Sequence, residues 1–285
     1  MKKAASGNSF SNETYSYYVS FYGYDESLWV QLGKFIAHLF DGTLGYSIVY
    51  TTSCANLIWP RFFITLSITL PAVILSALIS ASLALEVTSR KKKIADSIST
   101  SFAVLLNAFP TFMVAMFLLF YFAFDLKLFP SHGYKSSANS NFFDVLAHIF
   151  LPILTIVIAQ FPGKYMLLRN SIASISDSKY LLYAKARGVS HKEYKYHYLF
   201  PNAAGPFLTA VGLSLGASFG GSVVIEEIFS IQGMGKLLLK SLQDSDYPMV
   251  SAILILTCIA SFIGLLLVDI ILYFLDPKRK EARHV

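Results

Sequence analysis

Apolar residues in this chain do not alternate with polar ones; they come in long runs separated by short charged stretches. Five runs, at 62–85, 102–124, 145–161, 206–225 and 250–275, approach or exceed the roughly 20 residues that a helix needs to cross a bilayer. The third is the weakest, because Pro152, Gln160 and Pro162 interrupt it. Prolines survive in such helices where neighbours satisfy the freed backbone groups. The pattern predicts an all-α polytopic membrane protein with about five transmembrane helices. Ahead of the first run, Leu28–Phe40 repeats apolar residues at helical spacing. It also carries Lys34 and His38, and so predicts a helix lying along the membrane interface.

Composition strengthens the membrane reading. The chain is 55% hydrophobic and 14% charged, whereas a soluble domain carries about a quarter charged residues. Its net charge of +6 does not indicate a nucleic-acid partner, because the basic residues sit between apolar runs, the arrangement that sets membrane topology. Fifteen of the 23 Lys and Arg fall on one side: Arg90 to Lys93, seven between Lys164 and Lys195, and four from Lys278 to Arg283. That side, with the C-terminus, is expected to be cytoplasmic. Five spans then put the N-terminus outside, so residues 1–60 are an extracytoplasmic segment and 61–285 the transmembrane domain. A cytoplasmic loop is expected at about 163–204. Cys54 and Cys258 support neither a disulfide framework nor a metal site.

Within that loop, residues 179–206 form a basic, helix-prone segment punctuated by Gly188. Ala184 and Ala186 are small enough to let a partner approach, and Lys185, Arg187, Lys192 and Lys195 offer charge for acidic groups around such a contact. Gly188 can end a helix in the left-handed conformation or allow close backbone contact. Residue types alone leave two readings open, a docking surface and a solvated charge run that only sets topology.

Polar groups inside apolar runs are costly and therefore informative. Asn107, Gln160 and Asp269 are candidates for lining a path, although Asp269 could equally pair with a basic residue near the membrane surface. Gly212, Gly216 and Gly220 make a stripe that lets helices approach closely, within this chain or against a second one. Enzyme readings fail. Gly233-Met234-Gly235-Lys236-Leu237 lacks the leading glycine and the Ser/Thr of a P-loop, and neither a zinc-protease nor a nucleophile-elbow motif occurs.

The segment Leu182-Tyr183-Ala184-Lys185-Ala186-Arg187-Gly188, closing at Tyr198-Leu199-Phe200-Pro201, resembles the cytoplasmic EAA loop of ABC-importer permeases. Other matches stand in order along the chain: 41–47 (D-G-T-L-G-Y-S), 130–134 (P-S-H-G-Y), the signature Glu226-x-x-Phe229-Ser230-x-x-Gly233-x-Gly235, 246–248 (D-Y-P), and Asp269 with Asp276-Pro277. Together they are similar to the B-type permease subunit of oligopeptide and dipeptide importers, with the type I importer fold. Leu182 stands where the wider superfamily has Glu, Gln232 where Pro is usual, and Tyr273 one place later than the family's tyrosine. Relatives usually have six core helices, so the resemblance implies that a first helix is missing here.

That resemblance implies a permease subunit that forms the translocation path for di- or oligopeptides and binds no cofactor itself. ATP and Mg would be bound by two separate ATPases seated on the EAA loop. A homologous second permease and an extracellular binding protein would complete the assembly. Nickel-chelate and oligosaccharide importers use similar subunits. A self-sufficient channel or ion-coupled carrier would need inverted repeats or a chain of ion pairs, and neither is visible.

Overall fold

The computed structural model describes residues 12–90, 93–137 and 140–275, and for 12–15, 218–221 and 275 the backbone alone. The order is α1 (Asn12–Tyr22), α2 (Leu28–Phe40), α3 (Cys54–Ser89), α4 (Lys93–Asn107), α5 (Thr111–Leu118, continued by a π-helical turn to Asp125) and α6 (Phe142–Ile175). There follow α7 (Lys179–Ala186), α8 (His191–Glu193, continued by a π-helical turn to Leu199), α9 (Phe200–Ile228), α10 (Met234–Gln243) and α11 (Tyr247–Leu275). Among the described residues there is no strand, only an isolated bridge between Tyr46 and Ser53.

Three helices, α3, α6 and α11, are each long and apolar enough to cross a membrane unaided. The other two expected spans are bent. The 102–124 run is not one helix: α4 and α5 meet at 93°. Pro110 is extended, with ψ 142°; its ring lacks an N–H and drives the preceding residue out of the helical region. The remaining candidate, which contains α9, bends by 52° and begins at His191, well before the apolar run itself.

The run read as weakest is the reverse. α6 is continuous for 34 residues through Pro152 and Pro162, and both prolines are buried. It packs along α3, whose buried face carries Thr69, Ala72, Ser76, Ser80 and Ala84, small side chains that let two backbones approach. Ser80 donates to the Phe161 carbonyl at 3.1 Å. α6 also runs on to Ile175, so the first part of the expected 163–204 loop is helix.

The N-terminal segment is tied to the helical body. Tyr22 donates to the Tyr46 carbonyl at 2.6 Å and accepts from the Tyr46 amide at 2.7 Å. Ser47 donates to Asp246 at 2.5 Å, and the Ile48 amide to the same carboxylate at 3.2 Å. Asp246 is fully buried ahead of α11. The 41–47 and 246–248 motifs are thus two halves of one junction, a link that neither shows alone. In the first, Thr43 donates to Asp41 at 2.6 Å and holds its carboxyl below the usual range. α2 has no buried residue, and Leu28, Trp29 and Phe40 are largely exposed.

Candidate functional site

At one end of the molecule, α7 forms a short two-faced helix. Leu181 and Ala184, three residues apart, lie on one face and are buried beside Tyr165, Leu168, Ile172, Tyr194 and Leu199. Leu182 and Tyr183 point outward and are 54% and 71% exposed; Lys185, Ala186 and Arg187 are exposed with them. Ala184 therefore does not leave room for a partner, as its size suggested. It is what lets α7 sit close against its own core.

Gly188 closes this helix. Its φ is +72°, the left-handed region that costs residues with a Cβ, and its amide donates to the Lys185 carbonyl at 3.0 Å. Nothing lies within 4 Å of where a Cβ would sit, so the conformation rather than local crowding calls for glycine. Beyond the turn, Ser190 accepts from the Glu193 amide at 3.2 Å, an N-cap that starts the next helix. Pro201 is the second residue of α9, which directly follows the π-helical turn over 194–199, an irregularity of the kind at which helices commonly bend.

The basic residues divide. Lys192 and Arg187 are exposed, but Lys185 lies over the Tyr194 ring at 4.7 Å. Lys195 pairs with Glu86 of α3 at 3.0 Å, and Arg90 joins the same carboxylate at 2.6 Å. Lys195 thus has a partner within the chain. Glu86 was missed, since a lone glutamate at a helix end carries no motif. Nearby, Arg169 of α6 pairs with Asp96 of α4.

At the far end of α9, about 43 Å along a 29-residue helix, the 226–235 signature folds around its own carboxylate. Glu226 is 1% exposed. It accepts from Thr65 of α3 at 2.6 Å and from the Lys236 amide at 2.8 Å. Thr65 in turn accepts from the Met234 amide at 2.8 Å. A Cβ on Gly233 would fall into the Glu226 carboxylate, and one on Gly235 would meet the Val223 backbone at 2.9 Å. Phe229 is buried, and its carbonyl accepts from the Gly133 amide at 2.9 Å, so the 130–134 loop and the signature are joined. These contacts give the signature a tight packing role.

Between the two ends, α5, α6 and α9 border a partly open cavity of ≈ 310 Å³ lined by Thr111, Ile156, Gln160, Ser214, Ser222 and Ile225, among others. Of the three candidate path residues, only Gln160 is on this wall. Asn107 is exposed at the end of α4, beside the bend. Asp269 is exposed on α11, which packs on a different face of α9. That face is the glycine stripe: a Cβ on Gly212 would meet Val268 at 2.8 Å, and one on Gly216 would overlap Ser261. Both glycines therefore pack within the chain. The surroundings of Gly220 lie outside the described residues, as do Asp276 and Pro277. Lys164, counted above with the loop charges, lies inside α6 and is 4% exposed. A lysine ending an apolar run was the available signal.

Two ends joined by long helices around a central cavity describe a membrane permease, and comparison with known proteins agrees. Residues 74–281 match the model of the binding-protein-dependent transport system inner membrane component, and the chain belongs to that family. It is 28% identical to the dipeptide transport system permease protein DppB of Lactococcus lactis, over 90% of this chain and 82% of that protein. It is also 28% identical to the oligopeptide transport system permease protein AppB of Bacillus subtilis, over 92% and 83%. The glutathione transport system permease protein GsiC of Salmonella paratyphi A is 29% identical, over 90% and 80%. An inward-facing structure of the MetNI methionine ABC transporter superposes with a TM-score of 0.60 at 15% identity, covering 77% of this chain and 96% of that one. That likeness concerns the fold.

Proposed function

We propose that this chain is the permease subunit of an ABC importer for short peptides. In this reading α7 and the Gly188 turn seat an ATPase subunit, and the cavity between α5, α6 and α9 belongs to the path. The observation that carries it is the construction of α7: two inward residues and a left-handed glycine hold Leu182 and Tyr183 outward on a rigid platform. A segment that only set topology would need charge but no such buried anchor. Peptides are favoured by the substrates in the names of the relatives; nickel chelates and oligosaccharides are the alternatives. The partners are a second permease, two ATPases that hold ATP and Mg, and an external binding protein, with no cofactor on this chain.

Energy transfer follows from the contacts. Motion of a docked ATPase would reach α3 through Lys195 and Glu86 and α9 through the continuous run from His191 into that helix. Both helices pack on α6, so the cavity wall would move with the platform. Purified alone, the chain is expected to hydrolyse no ATP. With its ATPases and binding protein in proteoliposomes, it is expected to support ATP-dependent dipeptide uptake. Hydrolysis by the isolated chain, or uptake of a nickel chelate or oligosaccharide in place of peptide, would replace this reading.

Orientation is part of the proposal: the α7 end is cytoplasmic and the signature end extracytoplasmic. Ser190 and Ser137 are both exposed and lie on opposite sides in this scheme. In intact cells, a cysteine at Ser137 is expected to react with an impermeant maleimide and one at Ser190 only after permeabilisation. Outside labelling of Ser190 would overturn both the topology and the docking assignment.

A further inference from the structure

Lys164 lies 22 residues into α6, where its ammonium is enclosed by the helix bundle. Nζ donates to Ser76 Oγ of α3 at 2.7 Å and to Gln160 Oε1 at 2.6 Å. Both acceptors are neutral. Among the described residues, no carboxylate oxygen stands within the 4.0 Å of an ion pair. Charged side chains within membrane helices are costly and usually pair with an opposite charge or serve a transported species. An ammonium has three N–H donors and no acceptor, so it can only favour electron-rich or anionic groups.

The position of Gln160 gives this charge a direction. Its amide oxygen receives the Lys164 bond, and the same residue lines the ≈ 310 Å³ cavity. The ammonium is therefore one hydrogen bond behind the cavity wall. The other polar wall groups, Thr111, Ser214 and Ser222, are uncharged hydroxyls. Ser222 bonds to the Glu226 carboxylate, which also accepts from Thr65 and the Lys236 amide at the signature end. Beside Gln160 the nearest charge behind the wall is this ammonium, and a unit charge at such range outweighs the dipole of a neutral hydroxyl. It lowers the energy of an anion in the cavity and raises that of a cation.

We propose that Lys164, acting through Gln160, makes the cavity selective for a carboxylate, and that the group recognised is the C-terminal α-carboxylate of the peptide. This rests on the peptide-importer reading above. Lys164 is a specificity-determining residue here, placed behind the wall rather than in it. Gln160 relays its polarity while keeping the ammonium from holding the substrate too tightly to release it.

The test uses the complete transporter with its binding protein in proteoliposomes. It compares uptake of a dipeptide with a free carboxylate and the same dipeptide amidated at its C-terminus. Lys164→Gln removes the charge and keeps a polar side chain; Lys164→Met is the second neutral variant. Because the binding protein is unchanged, its own preference cancels between wild type and variants. Expected is a fall of about tenfold or more in the acid-to-amide uptake ratio for a neutral variant, with Lys164→Arg retaining more of the wild-type ratio. An equal loss for both peptides would make Lys164 merely structural and overturn the proposal, as would an unchanged ratio or an amide still at background in the neutral variants. Failure of both neutral variants to reach wild-type abundance would count as a structural role too. Wild-type uptake of neither peptide would overturn the peptide reading and the inference with it. Wild-type uptake of the acid with an unmoved ratio would overturn the inference alone.

Discussion

Replacing Gly188 with valine is expected to abolish uptake while leaving the permease folded in the membrane. The glycine sits at φ +72°, where an L side chain costs on the order of 1–2 kcal/mol and a β-branched one is disfavoured further. With no atom within 4 Å of a Cβ position, the substitution causes no clash within the chain, so the fold survives. What shifts is the direction in which the chain leaves α7, and with it the platform presented by Leu182 and Tyr183. Any partner backbone packed against the turn would collide with the new side chain as well. Gly188→Ala is expected to be milder, and Gly188→Asn, which tolerates the left-handed region best among side chains of its size, nearly silent. Uptake and ATPase pull-down at matched expression decide the matter. Wild-type values for Gly188→Val would mean that the segment is only a charged tether.

Removing the Glu226 carboxylate is expected to cause the largest loss of stability. Glu226→Ala strands the Thr65 hydroxyl and the Lys236 amide, and an unsatisfied buried donor costs about 1–3 kcal/mol. The change also opens a void where α3, α9 and α10 meet. Gly233→Ala is expected to do similar damage by the opposite route, forcing a methyl group into the space of the carboxylate. Glu226→Gln keeps one acceptor and is expected to fall between wild type and Glu226→Ala. Thermal unfolding of the detergent-solubilised protein would read the series, with a drop in Tm of about 5 °C or more for the alanine variant. A Tm unchanged in Glu226→Ala would mean that the carboxylate does not hold the signature together.

Both experiments probe positions named by motif, yet their physical meaning came from different levels. The left-handed turn at Gly188 could be anticipated because glycine alone adopts that region freely. The role of Glu226 could not, since its partner Thr65 lies 161 residues away and local sequence is silent about such pairings. The same applies to Ala184. Its small size is compatible with an open surface and with close internal packing, and only the cluster around Tyr165 decides for the second. Lys195 looked like a free charge until Glu86 was found beside it.

By itself, the sequence determined that this is a helical membrane protein. Bilayer thickness turns long apolar runs into spans whatever their neighbours, and helices are the way a single such run can satisfy its backbone in lipid. It also determined the ordered motifs of a permease. Tertiary structure alone decided how those spans bend and where they meet. Pro110 breaks its helix while Pro152 and Pro162 leave α6 continuous, because what a proline does depends on whether surrounding helices hold the backbone in place. It also decided that Gln160 faces the cavity and Asp269 does not, and that Lys164 belongs to the bundle rather than to a loop. Those are matters of which face of a helix meets which neighbour, and apolar runs without a polar stripe do not record them.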